Sequence, residues 1–159
     1  MNNDLQIASD FLAPLFDEIF DVKEKDFSIQ YNPLGEGKQK LLFIIEEEGV
    51  DYLPETDMLL LKSIVDKGLK KQFSDLWLLN LCSAKNADLQ DLIDFFKPFQ
   101  VIVWGCDSWL SRQNIKVDLH QQKMLQGVDF LKANSVHSYL NDSAMKGKLW
   151  LALQKMFFN

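Results

Sequence analysis

Residues 74–105, SDLWLLNLCSAKNADLQDLIDFFKPFQVIVWG, decide the fold class. Residues 76–82 are apolar except for Asn80, apolar residues recur at helical spacing over 87–97, and a second run that is apolar except for Gln100 follows Pro98. A strand, a helical crossover and another strand are the unit from which parallel sheets are built. Strands that are apolar along their whole length are buried on both faces. We therefore expect a parallel sheet with helices packed on each side.

The flanking segments continue this alternation in both directions. Upstream, 40–47 is a short apolar strand, and 54–71 is a helix that begins near Pro54. Downstream, we expect a loop opened by Gly105, a helical turn at 107–113, a fourth strand at 125–133 with Gly127 at a bend, and closing helices at 135–142 and 144–158. The sequence therefore predicts an α/β fold, a three-layer α/β/α sandwich with a mainly parallel sheet of about four strands.

The first 39 residues have a different pattern. Residues 1–22 place apolar side chains at helical spacing with acidic side chains opposite, which predicts an acidic amphipathic helix. Pro14 favours a kink or a break in it. The polar stretch 23–39 reads as a linker or an edge hairpin. We therefore expect an N-terminal helical extension at 1–22, followed by this connection and an α/β/α domain at 40–159.

Length and charge limit the classes of function. The 159 residues suit one compact domain, and the formal net charge of −6 does not supply the basic face that phosphate binding requires. We expect protein or small-molecule partners, with direct nucleic-acid binding weak or absent. The N-terminus lacks the features of a secretory signal, and no apolar run approaches the roughly 18 residues of a membrane span. We therefore expect a cytoplasmic protein without membrane contact.

Few side chains form the patterns that a cofactor or metal site requires. Residues 34–38, LGEGK, lack the spacing of a phosphate-binding loop and precede a strand, so a turn is favoured. His120 with Asp118 has no third metal ligand at a convincing spacing. His137 is a general base or a surface residue at the start of a short helix. We expect no metal and no cofactor.

Three polar residues remain as candidates for chemistry. Glu46 and Glu47 begin an acidic run after the first strand, where a carboxylate can orient water, although such runs are also typical of solvated surfaces. Asn80 lies within an apolar run and must find hydrogen-bond partners. It faces a ligand pocket or bonds to a neighbouring loop. If the protein is an enzyme, its catalytic residues are Glu46, Glu47 and Asn80.

Residues 53–105 and 133–157 together resemble the uracil-DNA glycosylase family. The first segment has a helix, a strand ending in an asparagine segment, a helix ending in Lys-Pro and a strand ending in glycine, in the order of that family. The second has a serine-led short helix followed by a helix with Lys-x-x-Leu-Trp. The resemblance covers roughly residues 40–157. It implies a glycosylase-like sandwich with a cleft at Asn80, Gly105 and Ser135.

The catalytic motifs of that family are largely replaced. Residues 46–49, Glu-Glu-Glu-Gly, stand where the family has Gly-Glu-x-Pro-Gly, and 133–135, Ala-Asn-Ser, stand where it has His-Pro-Ser. Asn80 matches the family's asparagine. Base excision requires a donor for the charge on the leaving base, and losing one such donor costs about 3 to 4 kcal/mol. We therefore expect a noncatalytic protein without catalytic residues.

Residues 124–154 resemble the C-terminal part of the psi subunits of DNA polymerase III, which are noncatalytic members of the clamp-loader assembly. In both, a small-residue strand leads into a short helix and then a helix containing Leu-Trp, and an N-terminal extension precedes the sandwich. In that family the extension binds the clamp-loader core, and the sandwich binds a partner called chi, which links to single-strand DNA-binding protein. The resemblance implies a protein-interaction subunit of a DNA replication or repair assembly.

Two features are candidate contacts for a protein partner. The apolar face of the N-terminal helix fills a partner's groove or packs on its own sheet. The tryptophan after Gly105 is an interface anchor or a core residue. The candidate partner-binding residues are Leu12, Leu15, Phe16, Ile19, Phe20 and Trp109. The alternatives to this function are a nucleobase-DNA glycosylase with altered active-site residues and a small-molecule-binding sandwich.

Overall fold

A computed structural model of the protein describes residues 31–84 and 86–158. The expected helical extension at 1–22, with its five candidate docking residues, lies outside the described residues. The strands are β1 (Leu41–Ile45), β2 (Trp77–Asn80), β3 (Gln100–Trp104), β4 (Gln122–Leu125) and β5 (Val128–Ala133). The α-helices are α1 (Glu55–Ser63), α2 (Leu89–Phe96), α3 (Asp107–Arg112) and α4 (Ser143–Phe158). A π-helical turn (Ile64–Gly68) and three 3-10 helices (Phe73–Asp75, Leu81–Ser83, Val136–Tyr139) complete the regular structure of this part of the chain.

The strands form one five-stranded sheet with the order β2-β1-β3-β5-β4. The first four strands in this order are parallel, and β4 pairs antiparallel with β5. The predicted mainly parallel α/β fold is confirmed. The sheet has five strands, whereas the sequence predicts about four. Residues 122–133 form a hairpin rather than one bent strand, because Gln126 and Gly127 both have positive φ, as a two-residue hairpin turn requires.

Two apolar cores lie on opposite faces of the sheet. Along β1, every side chain is buried, and successive residues alternate between the two cores. Leu41 and Phe43 pack with apolar residues of α1 and α4, whereas Leu42 and Ile44 pack with those of α2 and α3. The structure is therefore a three-layer α/β/α sandwich, as the apolar runs of the sequence predict.

Helix α2 begins and ends where local chemistry dictates. At its start, the Asp88 carboxylate accepts a hydrogen bond from the Asp91 backbone N–H (2.8 Å), and the Asp91 carboxylate accepts one from the Asp88 N–H (3.2 Å). This reciprocal pair is a capping box. At its end, Lys97 adopts a left-handed conformation before Pro98, which cannot continue the helix. The crossover between β2 and β3 is thus fixed by its own sequence.

The segment 34–37 lies against β2 at the edge of the sheet. Leu34 forms an antiparallel bridge with Leu78, and each donates a backbone hydrogen bond to the other at 2.9 Å. A Cβ atom at Gly35 would lie 2.0 Å from the Leu76 carbonyl oxygen, and one at Gly37 would lie 1.9 Å from the Trp77 ring. Close packing on the sheet edge therefore accounts for both glycines of the LGEGK segment.

Candidate functional site

The carboxyl ends of the parallel strands are the place where open α/β sheets bind ligands. Two of the predicted cleft residues meet there. A Cβ atom at Gly105, just after β3, would lie 3.5 Å from Cβ of Ser135, just after β5. Asn80 ends β2, which is separated from β3 by β1, a distance of roughly 10 Å. The structure therefore brings Gly105 and Ser135 together, whereas Asn80 lies two strands away from Gly105.

Asn80 is a buried polar side chain, 2% exposed, whose amide is fully occupied by backbone groups. Its Nδ2 donates to the carbonyl oxygens of Glu47 (2.9 Å), Asp51 (3.2 Å) and Val50 (3.3 Å). Its Oδ1 accepts from the backbone N–H groups of Glu47 and Cys82, both at 3.1 Å. Of the two interpretations that the sequence leaves open, the structure shows bonding to a neighbouring loop.

A small cavity borders this loop. Its volume is about 170 Å³, below the 300 to 1,000 Å³ of common ligand pockets. The residues that line it are Asn32, Val50, Asp51, Tyr52, Asn80, Cys82 and Ser83. Since the Asn80 amide is already bonded to the loop, it does not offer this cavity a free donor or acceptor.

A buried aspartate holds one of the two histidines at the same edge of the sheet. Asp57, in the first turn of α1, is 2% exposed, and its Oδ1 lies 3.1 Å from Nδ1 of His137. The His137 side chain itself is 74% exposed. A carboxylate at Nδ1 orients an imidazole and directs its Nε2 away, as in many general bases. Here, however, the imidazole lies at the surface.

Glu47 lies within the electrostatic influence of this pair. Burial and, secondarily, the Asp57 carboxylate raise the pKa of Glu47, and His137 opposes the rise. Glu46 is exposed, while Glu47 is half-buried. The sequence did not indicate Asp57, because an acidic residue in the first turn of a helix is common and its partner is 80 residues away. These three side chains form the acidic-imidazole cluster: Glu47, Asp57 and His137.

Residues 133–135, Ala-Asn-Ser, form a tight turn into the 3-10 helix Val136–Tyr139. The Asn134 N–H donates to the Tyr139 hydroxyl (2.8 Å), and the Asn134 Oδ1 accepts from the Ser135 N–H (2.8 Å). The Ser138 hydroxyl donates to the Ser135 carbonyl oxygen (2.6 Å). Asn134 therefore supports the turn, and Ala133 is fully buried.

The second histidine, His120, belongs to the same hydrogen-bond chain. Its Nε2 lies 2.7 Å from the Tyr139 hydroxyl, which also accepts a hydrogen bond from the Asn134 N–H. Burial and then Lys148 lower the pKa of His120, and burial raises the pKa of Tyr139 to about 12. The lowered pKa favours the neutral imidazole, and His120 serves as a hydrogen-bond partner of Tyr139.

Trp109 lies in the core and is 1% exposed. Its indole Nε1 donates a hydrogen bond to the Ala87 carbonyl oxygen at 2.9 Å, which joins α3 to the loop before α2. Trp109 is therefore a core residue. Because its side chain is buried, it is not available as an exposed anchor for a partner. The reason is that α3 folds back over the sheet directly after Gly105.

Three further properties bear on the kind of site. Across residues 31–84 and 86–158, no group of three or more His, Cys, Asp or Glu side chains is arranged to hold a metal ion. Cys82 and Cys106 are not joined by a disulfide, and burial raises the pKa of Cys106. Among the helices that the structure describes, none has the length and apolar character needed to cross a membrane.

The polar groups at the carboxyl edge of the sheet mostly serve the backbone. Asn80 holds the loop after β1, Asn134 holds the turn after β5, and His120 bonds to Tyr139. The acidic-imidazole cluster is a set of ionisable groups at this edge in which a buried carboxylate contacts an exposed imidazole. No protein-family model matches the chain, and no curated protein is significantly similar to it.

Proposed function

We propose that this protein is a noncatalytic protein-interaction subunit of a DNA replication or repair assembly, similar to the psi subunits of DNA polymerase III. The observation that carries the proposal is the use of Asn80. In a glycosylase-like site this side chain would face substrate, whereas here its amide bonds to five backbone groups of the chain itself. In this proposal, Asn80 matches the asparagine of the glycosylase family but stabilises the fold instead of contacting a substrate.

The charge and the exposed apolar side chains support binding to proteins. The net charge of −6 disfavours direct contact with phosphates. Several large apolar side chains remain exposed, and burying apolar surface on association is a favourable contribution to binding at protein interfaces. They are Val50, Leu59, Phe95, Phe99, Leu119, Met124, Trp150, Leu151 and Phe158.

The experiment is affinity capture from an extract of the cells that produce the protein. The tagged full chain is the bait, the tag alone is the control, and quantitative mass spectrometry identifies what is enriched. We expect enrichment of clamp-loader or other replication and repair proteins. Enrichment of proteins from none of these assemblies would contradict the proposal.

The proposed role of the N-terminal extension needs its own variant. If residues 1–22 dock on a partner, Phe16→Glu abolishes capture and leaves the free energy of unfolding unchanged, because a docking face is not part of the domain core. If the same segment packs on its own domain, Phe16→Glu lowers the free energy of unfolding. The second result would contradict the docking role.

The acidic-imidazole cluster favours one second candidate, a nucleobase-DNA glycosylase with altered active-site residues. Asp57 orients His137, and Glu47 has a raised pKa beside them. A carboxylate can orient the attacking water, and an imidazole can stabilise the departing base. In this candidate the cluster would replace the missing family motifs, with His137 in the role of the lost histidine.

This candidate is tested by base release from single- and double-stranded oligonucleotides that carry uracil or other lesions. It predicts saturable release by the full chain that is lost in both His137→Ala and Asp57→Asn. Glu48→Gln is the matched control, since it removes an exposed charge from the same loop. Absence of release from every substrate would exclude the glycosylase candidate.

A further inference from the structure

Helix α4 carries apolar residues on two opposite faces. Its inner face, which packs on the sheet, is formed by Leu149, Ala152, Leu153 and Met156. On the other side, Leu151 is 67% exposed and Phe158, seven residues later, is 53% exposed. Residues seven apart lie on one stripe of a helix. The helix therefore has an apolar stripe that no described part of the chain covers.

The side chains around this stripe leave it open. The Trp150 ring packs over Gly68, where a Cβ atom would lie 3.2 Å from it, and its centroid is 6.5 Å from that of Phe158. A Cβ atom at Gly147, one turn before Leu151, would meet nothing within 4 Å. We call Gly147, Trp150, Leu151 and Phe158 the outer face of α4. Its glycine allows a partner to approach the helix backbone closely.

The charge of α4 is opposite to that of the whole protein. The helix contains Lys146, Lys148 and Lys155 and no acidic residue, whereas the chain has a net charge of −6. Lys148 and Lys155 are seven residues apart and lie beside the apolar stripe. Pairing of α4 with α4 of a second copy would place lysines against lysines. Charge complementarity therefore favours an acidic partner.

We propose that the outer face of α4 binds an amphipathic helix of a protein partner whose apolar stripe is bordered by aspartate or glutamate. The proposal rests on the protein-interaction function above and names the surface and the chemistry of the partner. Leu151 and Phe158 pack against the apolar stripe of the partner helix, and Trp150 contributes an aromatic anchor. Lys148 and Lys155 pair with the carboxylates of the partner helix. Helix-in-groove recognition supplies the affinity, and the lysines select the acidic partner.

The probe is a fluorescein-labelled amphipathic peptide, about three heptads long, with a leucine stripe bordered by glutamates. A second peptide has lysines in place of the glutamates. Fluorescence polarisation with the full chain measures the dissociation constants. We expect the acidic peptide to bind, the basic peptide to bind at least about tenfold more weakly, and added salt to weaken binding of the acidic one.

Three variants locate the site. Leu151→Glu and Gly147→Glu each place a carboxylate on the outer face, and each is expected to weaken binding of the acidic peptide by about tenfold or more. Lys116→Glu is the control, because it also adds negative charge but lies far from α4. Its neighbours Ile115 and Val117 pack on the opposite face of the sheet, and we expect this variant to leave binding unchanged. Circular dichroism verifies that each variant is folded.

Other occupants of the surface are distinguished in the same experiment. Failure of the acidic peptide to bind, equal binding of both peptides, or binding unaffected by Leu151→Glu would overturn the proposal. The proposal would also be overturned if the chain binds phosphatidylserine vesicles, or forms a dimer, and Leu151→Glu abolishes that association. If the acidic peptide does not bind but the unaltered chain captures replication proteins from extract, the surface is wrong and the proposed function stands. If the unaltered chain captures none, the proposed function itself fails.

Discussion

The Asn80 side chain pairs with both backbone groups of Glu47, accepting its N–H at 3.1 Å and donating to its carbonyl oxygen at 2.9 Å. The parallel ladder between β1 and β2 ends at Ile45 and Asn80. Beyond that point the amide of Asn80 acts as one more peptide group of the ladder and fixes the loop that follows β1. This loop connects β1 to α1, so its conformation positions the helix that carries Asp57.

Replacing Asn80 should therefore destabilise the fold. Asn80→Ala leaves two backbone N–H groups and several carbonyls without their partner, and we expect the free energy of unfolding to fall by about 2 to 3 kcal/mol. Urea denaturation followed by circular dichroism measures the change. Asn141→Ala, at an exposed position, is the control and should change it by less than about 0.5 kcal/mol. Equal effects of the two variants would contradict the structural role of Asn80.

The sequence predicts the setting of Asn80 but not its partner. An amide inside an apolar run must be bonded, yet the choice between ligand and loop depends on where residues 47–51 turn, more than 25 positions away. The same reason explains the missed pair of Asp57 and His137. The layers and α2 were predictable because apolar periodicity and capping are local, whereas β4 was not, since three of its four residues are exposed.

The two buried tryptophans form a matched pair. The Trp109 indole N–H bonds to the Ala87 carbonyl, whereas the Trp104 Nε1 is buried without a hydrogen-bond partner among the described residues. Changing either to Phe removes a similar ring volume, but only Trp109→Phe also leaves a carbonyl unpaired. We expect Trp109→Phe to cost about 1 kcal/mol more than Trp104→Phe in chemical denaturation. A larger loss for Trp104→Phe would show that its indole has a partner.

Glu47 should make stability depend on pH in a defined direction. Because its pKa is raised in the fold above the ordinary 4.5, the folded chain holds this proton more tightly than the unfolded chain. The stabilisation is complete below about pH 4.5 and is lost as the pH rises through the folded pKa. We expect Glu47→Gln to raise the melting temperature at pH 7, relative to Glu48→Gln, and to give no such gain at pH 4. A gain at pH 4 that equals the gain at pH 7 would contradict this.

His120 should act in the opposite direction. Its pKa is lowered from 6.5, so the unfolded chain takes up this proton more readily than the folded chain. Its contribution is complete above about pH 6.5 and is lost as the pH falls through the folded pKa. His120→Asn keeps a residue that tolerates the positive φ of this position, and it should flatten the loss of stability on the acid side. If the melting temperature of His120→Asn falls with decreasing pH as steeply as that of the unaltered chain, the result would count against the bond between Tyr139 and His120.

The central proposal is that the polar groups at the carboxyl edge of this sheet serve the fold and perform no chemistry. The most direct test is single-turnover base release, with the full chain in excess over oligonucleotides that carry uracil or other lesions. We expect no release above the protein-free control. Saturable release that disappears in His137→Ala but persists in Glu48→Gln would contradict the claim.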